Sequence, residues 1–290
     1  MKMRKTVKKA SAAGLAAVMT LALIPALGTG SGGRIGGAEV MAAEHELSNP
    51  RTEEITNREG LADLKSTWDC IYFGNYPQSD STGETKEPVK WRVLSVEDDT
   101  ALLLADMNLD CQQFYTSADG EITWEDSTLR TWLNTDFLNA AFSSSEQAAI
   151  LDTVVTEQGN PNSGRSGGND TTDKVFCLTF ADTLKPEYGF PEEYSLFSET
   201  RRGLNTPYAI AQGAWTSTDE VWHDNGWWWL CSPGDTAVRA AGVRASGNTD
   251  EIGFEYSTDD NAVRPALRID LTSSDWTYAG TVCSDGTVTE

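Results

Sequence analysis

Basic side chains are scarce in this sequence: 22 Lys and Arg stand against 44 Asp and Glu, a net charge of −22. Nucleic-acid binding rests first on cations that neutralise phosphates, so nucleic acid is not an expected partner, and anionic lipid surfaces repel the chain for the same reason. Histidine is nearly absent. With only His45 and His223, a Ser/His/Asp or Cys/His device would have to use His223, which sits in the polar stretch VWHDNG as a loop residue would. The chain has no phosphate-cradling GxxxxGK[ST] loop, no HExxH helix and no EF-hand loop. Past residue 44 no apolar run reaches the ~20 residues that a membrane-spanning helix needs. Cysteines are few and oddly numbered: Cys70, Cys111, Cys177, Cys231 and Cys283 stand at wide, irregular spacings. Those spacings point to neither a small disulfide scaffold nor a CxxC zinc site. Cys111 and Cys177 lie in apolar, strand-like runs, where a thiol behaves as a small hydrophobe.

What is present begins with a targeting signal. MKMRKTVKK puts five basic residues ahead of the apolar run ASAAGLAAVMTLALIPAL, and small residues with VMAAE follow. That order is a secretory signal peptide, with cleavage expected near Ala42 or Ala43. Residues 1–43 are therefore read as the signal, and the mature protein as secreted, extracellular or cell-surface associated, without stable membrane insertion. The first 43 residues hold six of the basic and one of the acidic side chains, so the remainder carries a net charge near −27. Such a surface suits a soluble extracellular protein. Residues 44–66 read as a polar leader with at most a short helix, 67–272 as one domain and 273–290 as a C-terminal tail.

Within the domain, DCIYFGNYPQ, VKWRVLSV and ALLLADMNL are strand-like runs joined by the loop SDSTGETKEP and the turn EDDT, which predicts an antiparallel meander. The period changes in TWEDSTLRTWLNTDFLNAAF, where Leu129, Trp132 and Leu133 fall at helical spacing and Asp126 or Ser127 is placed to cap. A second helix, EQAAILDTVV, is capped from among Ser143, Ser144 and Ser145. GNPNSGRSGGNDTTD reads as a surface loop and KVFCLTF as a strand. Residues 181–225 scatter aromatics without a period. Then WWWLCSPG reads as an apolar strand, AGVRASG sets Ala241, Val243 and Ala245 opposite Gly242, Arg244 and Ser246, and EIGFEYS alternates again. In AVRPALRIDL, Val263, Pro265, Leu267, Ile269 and Leu271 share a face. Pro265 has no amide hydrogen for a ladder, so an edge or a strand beginning is expected there.

These segments, FGNYPQ, VKWRVL, ALLLAD, LDCQQFY, ITWEDSTLRTWLN, DKVF, WWWLCSPG and AVRPALRI, follow a family pattern in order over about residues 68–271. The chain resembles a large family of secreted bacterial proteins of uncharacterised function, with the order FGxYPQ, SxLRxWLN, WWLRSPG, VRPAL. The arrangement also resembles the C-type-lectin-like fold, in the variant shared by formylglycine-generating enzymes and the variable proteins of diversity-generating retroelements. That resemblance implies an α+β fold with helices in the N-terminal half leading into small, mostly antiparallel sheets whose exposed strands contact ligands. The family's Arg in WWLRSPG is Cys231 here, so any interior bond made by that Arg is missing or replaced.

The interval 235–262, between SPG and VRP, is rich in Asp, Ser, Thr, Asn and Gly, as expected of an adaptable contact surface on a rigid sheet. In the family it resembles the targets of retroelement-driven diversification. The expected ligand-binding residues are Asp235, Arg239, Arg244, Ser246, Asn248, Asp250, Tyr256, Asp259 and Asn261, and the expected ligand is an extracellular protein or a glycan. No cofactor is required. Asp259, Asp260 and Asn261 offer oxygens to Ca²⁺, although adjacent residues alone cannot surround an ion, and a solvated turn has the same composition. Trp227, Trp228 and Trp229 invite a sugar-stacking reading, but three consecutive strand residues cannot all point one way, and core packing is the simpler expectation. Two other classes stay open. One is a thiol enzyme of formylglycine-generating type using Cys231 or Cys283, although no basic group or metal ligand explains a lowered thiol pKa. The other is a structural surface protein without a defined ligand.

Overall fold

The computed structural model describes residues 45–116, 120, 121, 123–156, 159–255 and 261–289. Fifteen strands lie among them. β1 (Arg51–Thr56), β2 (Ala62–Tyr76), β3 (Glu87–Glu97), β4 (Thr100–Ala105) and β5 (Asp110–Cys111) all precede the first α-helix. β6 (Thr153–Val155), β7 (Thr171–Asp173) and β8 (Val175–Phe176) follow it. The remaining strands are β9 (Trp228–Pro233), β10 (Arg239–Val243), β11 (Thr249–Glu255), β12 (Ala262–Val263), β13 (Ala266–Asp270), β14 (Thr277–Cys283) and β15 (Val288–Thr289).

Strand outweighs helix, 38% against 16%, which overturns the expected α+β, C-type-lectin-like layout with a helical N-terminal half. The physical reason lies in the pattern: a helical period is sustained only from Leu129 to Phe142, whereas residues 62–105 are two-period runs of β-branched and aromatic side chains. The one long helix runs Thr128–Trp132, continues as a π-helical turn over Leu133–Phe137 and ends with Leu138–Ala141. Ser127 caps it, its hydroxyl accepting from the Arg130 amide at 3.1 Å. The π turn inserts an extra residue, and Leu133, Phe137 and Leu138 all end up buried. Ser143 caps the next helix, Ser144–Ala149, in a reciprocal capping box with Glu146.

The meander is present: β2 pairs with β3 and β3 with β4, both antiparallel. They lie within an eight-stranded sheet of order β15-β14-β2-β3-β4-β13-β8, with β1 added on β2. The stretches read as leader and tail are thus sheet strands. Residues 51–56 and 62–66 form β1 and the start of β2, with no helix, and β14 and β15 come from residues 277–289. A second sheet has the order β11-β10-β9-β12-β5, antiparallel except for the β12–β9 pair. β6 and β7 form a small ribbon.

The final apolar run serves both sheets. Ala262 and Val263 pair in the five-stranded sheet, Ala266–Asp270 in the eight-stranded one, and Arg264 and Pro265 form the crossing. Pro265 thereby stands just ahead of β13, where it owes no ladder bond. Arg264 is fully buried and donates to four carbonyl oxygens: Ala105 (2.8 Å), Asp106 (3.1 Å), Arg201 (3.3 Å) and Arg202 (3.0 Å). A second buried guanidinium, Arg201, donates to Gly247 (2.8 Å), Thr183 (3.1 Å) and Glu193 (2.8 Å) carbonyls. A buried cation is tolerated only when its donors are used, and both arginines use them to tie irregular chain to the second sheet. Arg201 in particular fixes the turn between β10 and β11. Gly247 in that turn has φ +85°, and a Cβ there would stand 1.9 Å from the Ser198 carbonyl oxygen.

Candidate functional site

The second sheet builds one face from residues that the register puts together. Trp227 and Trp229 are two apart, so they share a face, and Gly242 lies opposite Trp229 and Asp250 opposite Gly242. Arg244 is two residues beyond Gly242 on the same side. Trp228, pointing the other way, is in the core with its indole 5.2 Å from the Arg264 guanidinium. Trp229 is also fully buried, its Nε1 donating to the Gln112 carbonyl at 2.8 Å. Core packing therefore claims two of the three consecutive tryptophans, while Trp227 is half-buried.

Trp227 sits in a stack of three rings. Its centroid is 4.4 Å from Trp215 and 5.2 Å from Phe254, with interplanar angles of 25° and 21°. Gly242 makes room for it: a Cβ there would be 2.6 Å from the Phe254 ring and 2.8 Å from the Trp228 carbonyl oxygen. Trp215 is 37% exposed at the outer end of the stack. It is placed by the buried Asn205, whose side-chain amide donates to the Trp215 carbonyl at 2.9 Å and to the Thr216 hydroxyl at 3.0 Å. Beside the stack, the Arg244 guanidinium lies 5.9 Å from the Trp227 centroid and 5.5 Å from that of Phe254. Asp250 holds it through an ion pair of 2.6 Å across the hairpin.

The expected site residues divide into separate groups. Asp235 and Arg239 pair at 3.5 Å at the start of β10. Arg244, Ser246, Asn248 and Asp250 gather at its turn, about five residues and thus ~17 Å away along the strand. Arg239, Arg244 and Asn248 are partly exposed and Asp235 is exposed. Three expectations of exposure are corrected. Ser246 is buried, because the turn folds it inward and its hydroxyl donates to Asn248 Oδ1 at 2.5 Å. Asp250 is buried beneath Arg244. Asn261, just ahead of β12, is wholly buried, and neither polar atom of its side chain has a hydrogen-bond partner among the described residues. Tyr256 and Asp259 lie outside the described residues, as does Asp260 of the suggested Ca²⁺ loop. Among the described residues no group of three or more His, Cys, Asp or Glu side chains is arranged to hold a metal.

One side chain departs from the alternation of EIGFEYS, and one ring lies where the sequence has no period to mark it. Phe254 and Ile252 do not share a face: β10 and β11 slip register between Ala240 and Gly242, leaving Ile252 exposed and Phe254 buried. Trp215 went unrecognised because residues 181–225 have no period, and only its pairing with Trp227 gives it meaning.

All five cysteines are buried, and Cys70, Cys177 and Cys283 carry free thiols. Cys231 is on β9 and Cys283 on β14, strands of different sheets. Burial pushes the Cys70 thiol up to about 12, with the nearby Asp106 carboxylate adding to the shift. Burial likewise raises Cys177, with Asp173 contributing. Four clefts, one of about 940 Å³ beside β1 and Pro191, are lined by none of the expected site residues.

A family model described as a domain of unknown function, DUF6273, matches residues 98–271, and the chain belongs to that family. No curated protein and no solved structure matches the chain. The matched span runs from just before β4 to just after β13, so it contains the whole five-stranded sheet and Trp215.

Proposed function

We propose that the protein is an exported, non-catalytic recognition module that binds an extracellular protein or glycan through the 235–262 hairpin and the adjoining face of β9. The observation that carries this reading is the three-ring stack with the Arg244–Asp250 pair beside it, on a sheet face clamped from behind by two buried arginines. Aromatic rings and Arg supply much of the binding energy at recognition surfaces, because they bury large area while losing little conformational freedom. A rigid scaffold under a polar, turn-rich hairpin is the arrangement such surfaces use. The basic, apolar and small-residue order of the first 43 residues supports export.

The test is a printed array of glycans and extracellular protein domains, probed with the chain and with an Asn248→Arg, Ile252→Glu double variant. Both side chains reach solvent, so the variant should melt within a few degrees of the parent. A ligand captured by the parent and lost in the variant is the expected outcome. Capture that survives both substitutions would discard the hairpin as the binding surface.

A further inference from the structure

We infer that β1 is a docking edge for an extended, lysine- or arginine-bearing segment of a partner protein, which adds a strand to the larger sheet and directs its cations at Glu54, Asp63, Glu192 and Glu193. This surface shares no residue with the 235–262 hairpin and does not rest on the reading of that hairpin. β1 pairs with β2 along its whole length, from Arg51 opposite Thr67 to Thr56 opposite Ala62, and among the described residues no other strand pairs with it. In an antiparallel pair half of the amide and carbonyl groups point away from the partner strand, so the outer edge of β1 offers a row of donors and acceptors. Every residue of β1 except Ile55 is exposed. A segment added there is held by main-chain bonds, and its alternate side chains set the selectivity.

The groove of about 940 Å³ beside β1 decides which side chains suit. β1, the start of β2 and residues 186–196 wall it with those four carboxylates and with Ile55 and Leu196, and no Lys, Arg or His lines it. Asp63 is its deepest acid, only 5% exposed. Asp63 Oδ1 accepts from the Ser198 hydroxyl and the Leu64 amide, both at 2.8 Å, whereas Oδ2 accepts from no described residue. Arg201 and Arg202 feel its charge, but Arg201 donates to carbonyl oxygens and Arg202 pairs with Glu199. A carboxylate so buried is stabilised by a cation in contact with it, and the groove is the side from which one can arrive. Charges on a sheet edge also block chance pairing, a role that fits Glu53; Asp63 stands on β2, away from that edge.

Charge excludes other occupants. Antiparallel pairing of RTEEIT with a second copy sets glutamate opposite glutamate in its central registers, and like charges so placed destabilise a ladder. Anionic polymers are repelled by a chain of net charge −22.

The probe is an acetylated and amidated octapeptide of alternating threonine and lysine, titrated into the full-length chain by calorimetry. Controls are the same peptide with glutamate for lysine, and spermine, a cation without a peptide backbone. The expected result is saturable binding of the lysine peptide alone, weakening as NaCl is raised to about 0.5 M. Asp63→Asn keeps an acceptor for Leu64 and Ser198 and should weaken that binding at least about tenfold. The exposed pair Glu54→Gln, Glu192→Gln should melt with the parent and weaken it several-fold. N-methylation of alternate peptide residues should abolish binding in one phase and spare it in the other, because only every second amide faces β1. No binding at ~1 mM peptide, or unchanged affinity in the glutamine double variant, whatever Asp63→Asn does to folding, overturns the docking edge. Spermine bound as tightly as the peptide, or an equal response to the two methylation phases, overturns strand addition.

Discussion

Asp106 joins two of the cations that hold the interior together. Arg92 donates Nε to its carboxylate at 2.6 Å while lying 4.7 Å from the Trp68 ring, and Arg264 donates to its carbonyl oxygen at 3.1 Å. Burial alone would raise this carboxyl, but Arg92, Arg264 and Lys90 outweigh it and leave the pKa below the usual value. A carboxylate whose pKa is lowered on folding contributes stability above its unfolded pKa and loses it as pH falls through the folded one. Asp106→Asn should therefore destabilise the protein by roughly 2–3 kcal/mol at neutral pH, since Arg92 is left without its counter-charge. The difference from the parent should shrink steadily below about pH 4. Urea unfolding from pH 3 to 7 measures it, and a difference that does not change with pH would mean that Asp106 acts only through packing. Asp110 behaves in the opposite sense. Burial raises its carboxyl despite the hydrogen bond from Tyr76, so it contributes most at low pH and less as pH rises.

The β10–β11 hairpin depends on one absent methyl group. At Gly242 the Phe254 ring crosses β10 so closely that even an alanine would meet it, and the Trp228 carbonyl blocks the other direction. Gly242→Ala should cost about 1–3 kcal/mol as overpacking. It should also displace Phe254 from Trp227, altering the near-ultraviolet circular dichroism; an unchanged spectrum would show that the stack does not rely on this residue. Alternation in AGVRASG correctly put Ala241, Val243 and Ala245 in the core. It failed for Ser246, because a strand period does not continue through a turn, and Gly247 with its positive φ reverses the chain there. In EIGFEYS the alternation fails at Ile252, because a register slip between β10 and β11 is set by the partner strand.

For the whole molecule, stability rests on packing rather than on bridges. All five cysteines are buried, and burial raises Cys70 to about 12, so none should react with an alkylating reagent until the protein unfolds. The melting temperature should accordingly be the same with and without a reductant. A drop on reduction would reveal a bridge in the exported protein. The family span of residues 98–271 does not stand alone as a structural unit either: β2 and β14, which flank each other in the larger sheet, both lie outside it.

By itself the sequence determined the β2–β3–β4 meander, a helix capped by Asp126 or Ser127, a second capped from among Ser143 to Ser145, and core packing within the run Trp227 to Trp229. Those features follow from local period and capping chemistry, which act over a few residues. Only the tertiary structure decided that the N-terminal leader and C-terminal tail are strands, that the last apolar run splits between two sheets at Arg264, and that Trp215 stacks on Trp227. Each of these depends on partners far away in the chain, and a sheet or a ring stack has no signature in the residues of one side alone.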